Sequence, residues 1–176
     1  MTVKFNESDV EAALITWLGT QGYPYAPGKE LLAERGSTRK TLLLPRIEAA
    51  LQRLNPALPQ SALDEAMRQI IRLESPDMLS DNMAFHKMLT RGIQLDVRHD
   101  DGSVRGETVW LVDFDTPDNN DWLVVNQLTI IGPTQKNRRP DVILYINGFP
   151  LVLIELKDFT NPSAKVKRAW QQIQTY

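Results

Sequence analysis

The sequence predicts an α/β domain: a mixed, largely antiparallel sheet with helices around it and a helical insertion at about 37–91. Three observations carry this. Apolar residues recur at helical spacing through the first half of the chain. From Ile93 onward the chain turns to β-branched and aromatic runs, IQLDVR, TVWLVDF, WLVVNQLTII, VILYI and LVLIEL. An Asn-Pro pair at 161–162 then opens a last amphipathic segment.

Each element has a local reason. Asn6-Glu7-Ser8 starts a helix that carries Val10, Ala13, Leu14, Trp17 and Leu18, with Gly22 just beyond its end. Residues 23–38, with Pro24, Pro27, Gly28 and Gly36, read as a loop or irregular ribbon. Pro45 suits the first position of a second helix, with Ile47, Ala50, Leu51 and Leu54 inward and Asn55-Pro56 as its stop. Ser61 reads as the cap of a third helix, and a fourth runs from about Asp81 to Arg91, ending at Gly92. Strands are expected at Ile93–Arg98, Glu107–Asp115 and Trp122–Ile131, and VILYI and LVLIEL form a hairpin about Asn147-Gly148. The helix from Pro162 is still running at Tyr176, so the chain reads as the N-terminal piece of something longer. Trp17, Trp110, Trp122 and Trp170 read as core or edge packing, and Asp113, Asp115, Asp118 and Asp121 as turn residues.

Composition narrows the function. At 176 residues the chain suits one domain with a proper core. It has no cysteine, which excludes disulfides and thiolate metal sites and makes a cytoplasmic location the default. His86 and His99 lack metal-ligand spacing. No apolar run approaches the roughly 20 residues of a membrane span, and the acidic, amphipathic start is not a signal peptide. Net charge is −2, yet residues 122–176 carry seven basic against three acidic side chains. That local excess is a hint of a polyanionic partner, while on charge alone a solvated basic surface is the favoured reading.

The chemistry concentrates at RPDVILYINGFPLVLIELK, residues 139–157. Glu155 and Lys157 are two apart on a strand and share a face. Asp141 enters the neighbouring strand after Pro140. Register decides whether the three meet. A regular two-residue turn at Asn147-Gly148 pairs Pro140 with Glu155 and turns Asp141 away. A three-residue loop, or a bulge near Pro150, pairs Asp141 with Glu155. Pro150 cannot donate to the ladder, so an irregularity is expected there. Two neighbouring carboxylates repel, and a hard divalent cation such as Mg²⁺ or Mn²⁺ removes the conflict. With a lysine beside them the set suits phosphodiester hydrolysis. Paired carboxylates also serve glycosidases, a chemistry that leaves the lysine and the basic flank without a task.

P-D, thirteen residues, then E-L-K resembles the PD-(D/E)xK nuclease pattern. Glu11 followed by Leu18 and Gly22-Tyr23 is similar to the first-helix glutamate of that group, and Gln172-Ile-Gln-Thr-Tyr176 to its Q-x-x-x-Y. The longer phrases NNDWLVVNQLTIIG, NRRPDVILYINGFPLVLIELK, AWQQIQTY, LNPALPQSALDEAMRQI and FHKMLTRG resemble the N-terminal endonuclease domain of the R (restriction and translocation) subunit of type I restriction-modification enzymes. The resemblance covers nearly the whole chain. It implies a restriction-endonuclease-like core and Mg²⁺-dependent cleavage of double-stranded DNA. Asp141 and Glu155 would be the metal-binding carboxylates and Lys157 the catalytic lysine. It also implies two ATP-driven motor domains further on, since no G-x-x-x-x-G-K-[ST] occurs here, and modification and specificity subunits as partners. Glu11 is a site candidate too, with a rival role closing a Ser8–Glu11 capping box and Glu7 as fallback. Lys165, Arg168, Gln172 and Tyr176 share one helix face and, with Arg138 and Arg139 beside Asp141, are candidates for contact with the DNA backbone. Two other readings share the motif: a stand-alone structure-specific nuclease, and a nuclease-like fold that only binds DNA or a partner subunit.

Overall fold

The structure, a computed structural model, describes residues 6–72, 78–99, 101–132, 137–157 and 166–174, without the side chains at 78, 79, 166 and 167. In chain order the elements are α1 (Glu7–Thr20), β1 (Tyr25–Pro27), a 3₁₀ turn (Gly28–Leu31), α2 (Leu32–Arg35), α3 (Leu44–Leu54), α4 (Gln60–Ile71), α5 (Met78–Arg91), β2 (Ile93–Arg98), β3 (Val104–Val109), a second 3₁₀ turn (Pro117–Asn119), β4 (Trp122–Asn126), β5 (Ile130–Ile131), β6 (Asn137–Arg138), β7 (Val142–Ile146), β8 (Phe149–Ile154) and α6 (Val166–Ile173). They fall into two compact units, residues 1–44 with 122–176, and residues 45–121. No helix among the described residues is long and apolar enough to cross a membrane.

The first unit holds the four-stranded sheet, in the order β1-β4-β7-β8. β1 runs parallel to β4, and the other two pairings are antiparallel, so the sheet is mixed and largely antiparallel as expected. Alternation along the strands feeds two faces. Leu123, Val125, Ile143 and Tyr145 pack with Leu31, Leu43 and Leu128 on one face. Val124 and Val142 pack with Leu18, and with Leu14 and Ile15 of α1, on the other. The Tyr145 hydroxyl is buried and donates to the Thr41 carbonyl, 3.0 Å away.

Residues 23–38, expected as a loop or irregular ribbon, hold the short strand β1, a 3₁₀ turn and α2. The prolines signalled irregularity, but an edge strand tolerates proline because one side of its backbone needs no partner. The ladder runs from Tyr25↔Val124 to Pro27↔Asn126. Gly28 follows at once, and its reason is steric. A Cβ there would meet Asn126 O and Leu128 Cα, each at 2.6 Å, and Leu128 N at 2.8 Å.

The strand expected over Trp122–Ile131 is two pieces. β4 stops at Asn126, Gln127 takes a left-handed backbone (φ 50), and β5 pairs with β6. A left-handed glutamine is uncommon and calls for a reason, which the site supplies.

In the second unit α3 and α4 bury Ile47, Ala50 and Leu51, and Ala62, Leu63, Ala66 and Ile70. α4 starts at Gln60 after Pro59, which makes no side-chain cap, so Ser61 is not the cap expected there. Asn55, read as a helix stop, is buried. Its carboxamide donates to Leu51 O and Trp110 O and accepts from Trp110 N, tying the end of α3 to the chain after β3. β2 and β3 pair with each other from Ile93↔Val109 to Arg98↔Val104. The strand expected to reach Asp115 ends at Val109, because Asp113 accepts from Asp115 N and Thr116 N and curls the chain. Asp121 pairs with Arg46 at 2.9 Å. Trp17, Trp110 and Trp170 are exposed rather than packed, while Trp122 meets Tyr23 edge-on with ring centroids 5.2 Å apart.

Candidate active site

One extra residue sets the geometry of the β7–β8 hairpin. Asn147 (φ 52) and Gly148 (φ 84) form a tight turn with both central residues left-handed, the form that matches strand twist. Ile146 pairs with Phe149 and Tyr145 with Pro150, but Leu144 pairs with Val152. Leu151 is therefore a bulge, beside the proline that cannot donate. Beyond it the register is Ile143↔Leu153 and Val142↔Ile154. Asp141 and Glu155 are the residues that follow in this register, where an unbroken ladder would have brought Pro140 to Glu155.

Side chains at this end are held from several directions. Asp141 Oδ2 accepts the backbone N–H of Leu156 at 2.7 Å, which joins it to the Glu-Leu-Lys segment. Its Oδ1 accepts from the Gln127 carboxamide at 3.2 Å, and its carbonyl from the Gln127 N–H at 3.0 Å. The Glu155 side chain is 0% exposed, and Lys157 Nζ stands 3.7 Å from Glu155 Oε2. Burying a carboxylate is costly without a positive charge beside it, and Lys157, itself 23% exposed, supplies that charge.

Glu11 comes to the same place from α1. The capping box on that helix is made by Asn6 and Asp9: Asn6 Oδ1 accepts from Asp9 N at 3.0 Å, and Asn6 N donates to Asp9 Oδ2 at 2.9 Å. The Ser8–Glu11 box expected as a rival does not form, and Glu11 is free to reach the sheet. Its Oε1 accepts from Asn126 Nδ2 at 2.6 Å and its Oε2 from Gln127 Nε2 at 2.5 Å. One amide group of Gln127 thus bridges Glu11 and Asp141. The Tyr25 hydroxyl donates to Asn126 Oδ1 at 2.9 Å, orienting that carboxamide in turn. Burial and the Glu11 and Glu30 carboxylates hold the Tyr25 phenol above its ordinary range. Asn126 and Gln127 were missed in the sequence, where the only signal was a polar pair inside an apolar run.

Of the other candidates, Glu7 is exposed in the first turn of α1, Arg139 is exposed, and Arg138 is half-buried in β6. On α6 Arg168 is exposed and Gln172 half-buried, while Lys165 and Tyr176 lie outside the described residues. Among the described residues no three Asp, Glu, His or Cys side chains cluster closely enough to hold a metal ion by themselves.

Over residues 4–176 the chain matches the family described as the N terminus of the type I restriction enzyme R protein. The chain belongs to this family. The chain is 34% identical over 176 residues to the endonuclease subunit of the type I restriction enzyme HindI from Haemophilus influenzae, covering 97% of the chain and 17% of that protein. It is 32% identical over 169 residues to a Methanocaldococcus jannaschii protein named for the endonuclease subunit of the type I restriction enzyme MjaIXP, covering 92% of the chain and 16% of that protein. The chain therefore spans under a fifth of the length of these relatives.

Gln127 gives the first test of the site. Glycine keeps the left-handed backbone and removes only the amide bridge. If the carboxylates hold a divalent cation, Gln127→Gly is expected to weaken its binding about tenfold, the lower end of what loss of a group orienting a ligand costs. Calorimetric titration reads this, and an unchanged affinity would make the bridge irrelevant to the carboxylates' task.

Proposed function

We propose that this chain is the DNA-cutting domain of a type I restriction enzyme, hydrolysing phosphodiester bonds of double-stranded DNA without sequence preference of its own and with Mg²⁺ as cofactor. The observation that carries the reading is the Leu151 bulge, after which Val142 pairs with Ile154 and Asp141 and Glu155 come next in register, with Lys157 Nζ 3.7 Å from Glu155 Oε2. The relatives named as endonuclease subunits support it.

The donors present suit a hard divalent cation, since they are oxygen-only carboxylates with no thiolate or imidazole among them. Asp141 and Glu155 would hold it. When bound, such a cation acts as a Lewis acid on the scissile phosphate and eases ionisation of the attacking water. The chain's own residues do the rest. Leu156 N and Gln127 fix the orientation of Asp141. Lys157 orients the water and offsets negative charge that grows on the phosphate. Glu11, clamped by two carboxamides, completes the acidic rim. Arg138, Arg139, Lys165, Arg168, Gln172 and Tyr176 contact backbone phosphates, which position the duplex and carry no sequence information.

In this reading, ATP-driven translocation belongs to domains further along the parent protein, target recognition to a specificity subunit and methylation to a modification subunit, in the cytoplasm. Calorimetry tests the cation site. The wild-type protein is expected to bind Mn²⁺ or Mg²⁺ and Glu155→Ala to lose that binding. Equal affinity in the two proteins would remove Glu155 from the site.

A further inference from the structure

A cleft of about 660 Å³ opens beside the carboxylates, and of its lining residues the reading above gives only Arg139 a contact with DNA. Its wall includes Tyr25, Lys29, Arg35, Asn126, Gln127 and Arg139. Two features set it apart from ordinary surface. Three of its lining residues are cationic and none is acidic, on a chain whose net charge is −2. And Asn126 and Gln127 line the cleft while their carboxamides bond Glu11, so cleft and acidic site share a wall.

Arg35 explains why the cleft is positive. Its side chain is buried, and the guanidinium donates to three backbone carbonyls, Lys40 at 2.6 Å, Thr129 at 3.0 Å and Thr38 at 3.0 Å. These bonds staple two loops together, but carbonyl oxygens carry no net charge to cancel it. A cation held in a low-dielectric wall acts further than one in water. Lys29 and Arg139 are both exposed and line the same cleft. The volume lies within the roughly 300–1,000 Å³ of pockets that enclose small molecules, enough for a nucleotide. The Tyr25 ring, 43% exposed, adds a flat face for a sugar or base.

We infer that this cleft receives the nucleotide next to the scissile phosphate on the strand being cut, with Lys29 and Arg139 on its phosphates and Tyr25 against its sugar or base. The inference rests on the proposed DNA cleavage and names the path of the strand away from Asp141 and Glu155. Arg35 holds the wall and supplies field without touching the strand.

A local readout in the complete enzyme tests it. Lys29 is acylated with an N-hydroxysuccinimide ester with and without duplex DNA in Mg²⁺-free buffer, and labelling is followed by mass spectrometry, with exposed Lys87 of α5 as control. DNA is expected to slow labelling of Lys29 several-fold and leave Lys87 unchanged. The double variant Lys29→Glu/Arg139→Glu is expected to cut DNA at least about tenfold more slowly, two phosphate contacts having become repulsive. Equal labelling of Lys29 with and without DNA overturns the inference, and so does cleavage at the wild-type rate by the double variant. Lys157→Ala separates this from the cutting reading. If that variant no longer cuts and Lys29 is still shielded in it, both stand. If it no longer cuts and Lys29 is unshielded, the cleft assignment alone falls. If it cuts normally, the cutting assignment falls, and with it the cleft's place beside a scissile bond.

Discussion

Replacing Lys157 by alanine is expected to abolish DNA cleavage by the complete restriction enzyme while leaving folding and ATP-driven translocation intact. The ammonium stands 3.7 Å from the buried Glu155 carboxylate and is partly open to solvent. Its position suits a group that acts on a water or phosphate and, at the same time, stabilises the charge of Glu155. Proton handling by a positioned side chain contributes about 10²–10⁴-fold, so cleavage should fall by at least about 10²-fold. The cut is read on supercoiled DNA carrying a target site, and translocation by ATP consumption in the same reaction. Normal cutting by Lys157→Ala would sink the assignment of the site. Loss of cutting together with ATP consumption would point to a general structural failure.

The second large effect is expected at a residue with no side chain at all. Gly28→Ala should destabilise the first unit by about 3–5 kcal/mol, the range of severe overpacking and backbone displacement. The added methyl would lie 2.6 Å from Asn126 O and from Leu128 Cα, both backbone atoms that no rotamer change can move. Either β1 leaves β4 or the Asn126–Leu128 segment shifts. The second route carries Gln127 with it and loosens Glu11 and Asp141. At about 2–4 °C per kcal/mol for a chain of this size, the melting temperature should drop by roughly 10 °C. Differential scanning calorimetry checks this. A shift within about 2 °C would show that the strand pair has more freedom than the contact allows.

How much of this could be read in the sequence depends on which physical rule held each element. The hairpin was legible because Asn-Gly, apolar alternation and a proline constrain one another. The need for an irregularity near Pro150 follows from side-chain parity alone, and Leu151 meets it. The amphipathic helices were legible by period. β1 was not, since Pro24 and Pro27 read as loop, and an edge strand is decided by its neighbour β4, about a hundred residues away. Gln127 was not, since a left-handed glutamine has no sequence signature. It is fixed by the pull of Glu11 and Asp141 on one amide and by the turn out of β4. The Glu11 ambiguity turned on which of two acids closes the helix cap. Asn6 lies before Ser8, so the box formed two residues earlier, with Asp9, and released Glu11. Tyr176 and Lys165 lie outside the described residues, so the far face of α6 stays a proposal.

The bulge at Leu151 makes the hairpin a parity lock. Because strand side chains alternate, inserting or deleting a single residue between Asp141 and Glu155 would swing one carboxylate to the opposite side of the sheet while leaving every backbone pairing available. The fold would survive and the constellation would not. Length changes in this loop are therefore tolerable in steps of two, or in compensated pairs. Related chains free to drift elsewhere would be expected to keep the number of residues between these two acids odd. A designer wishing to silence the site without unfolding the protein needs no substitution of a charged residue. Removing Leu151 alone would do it.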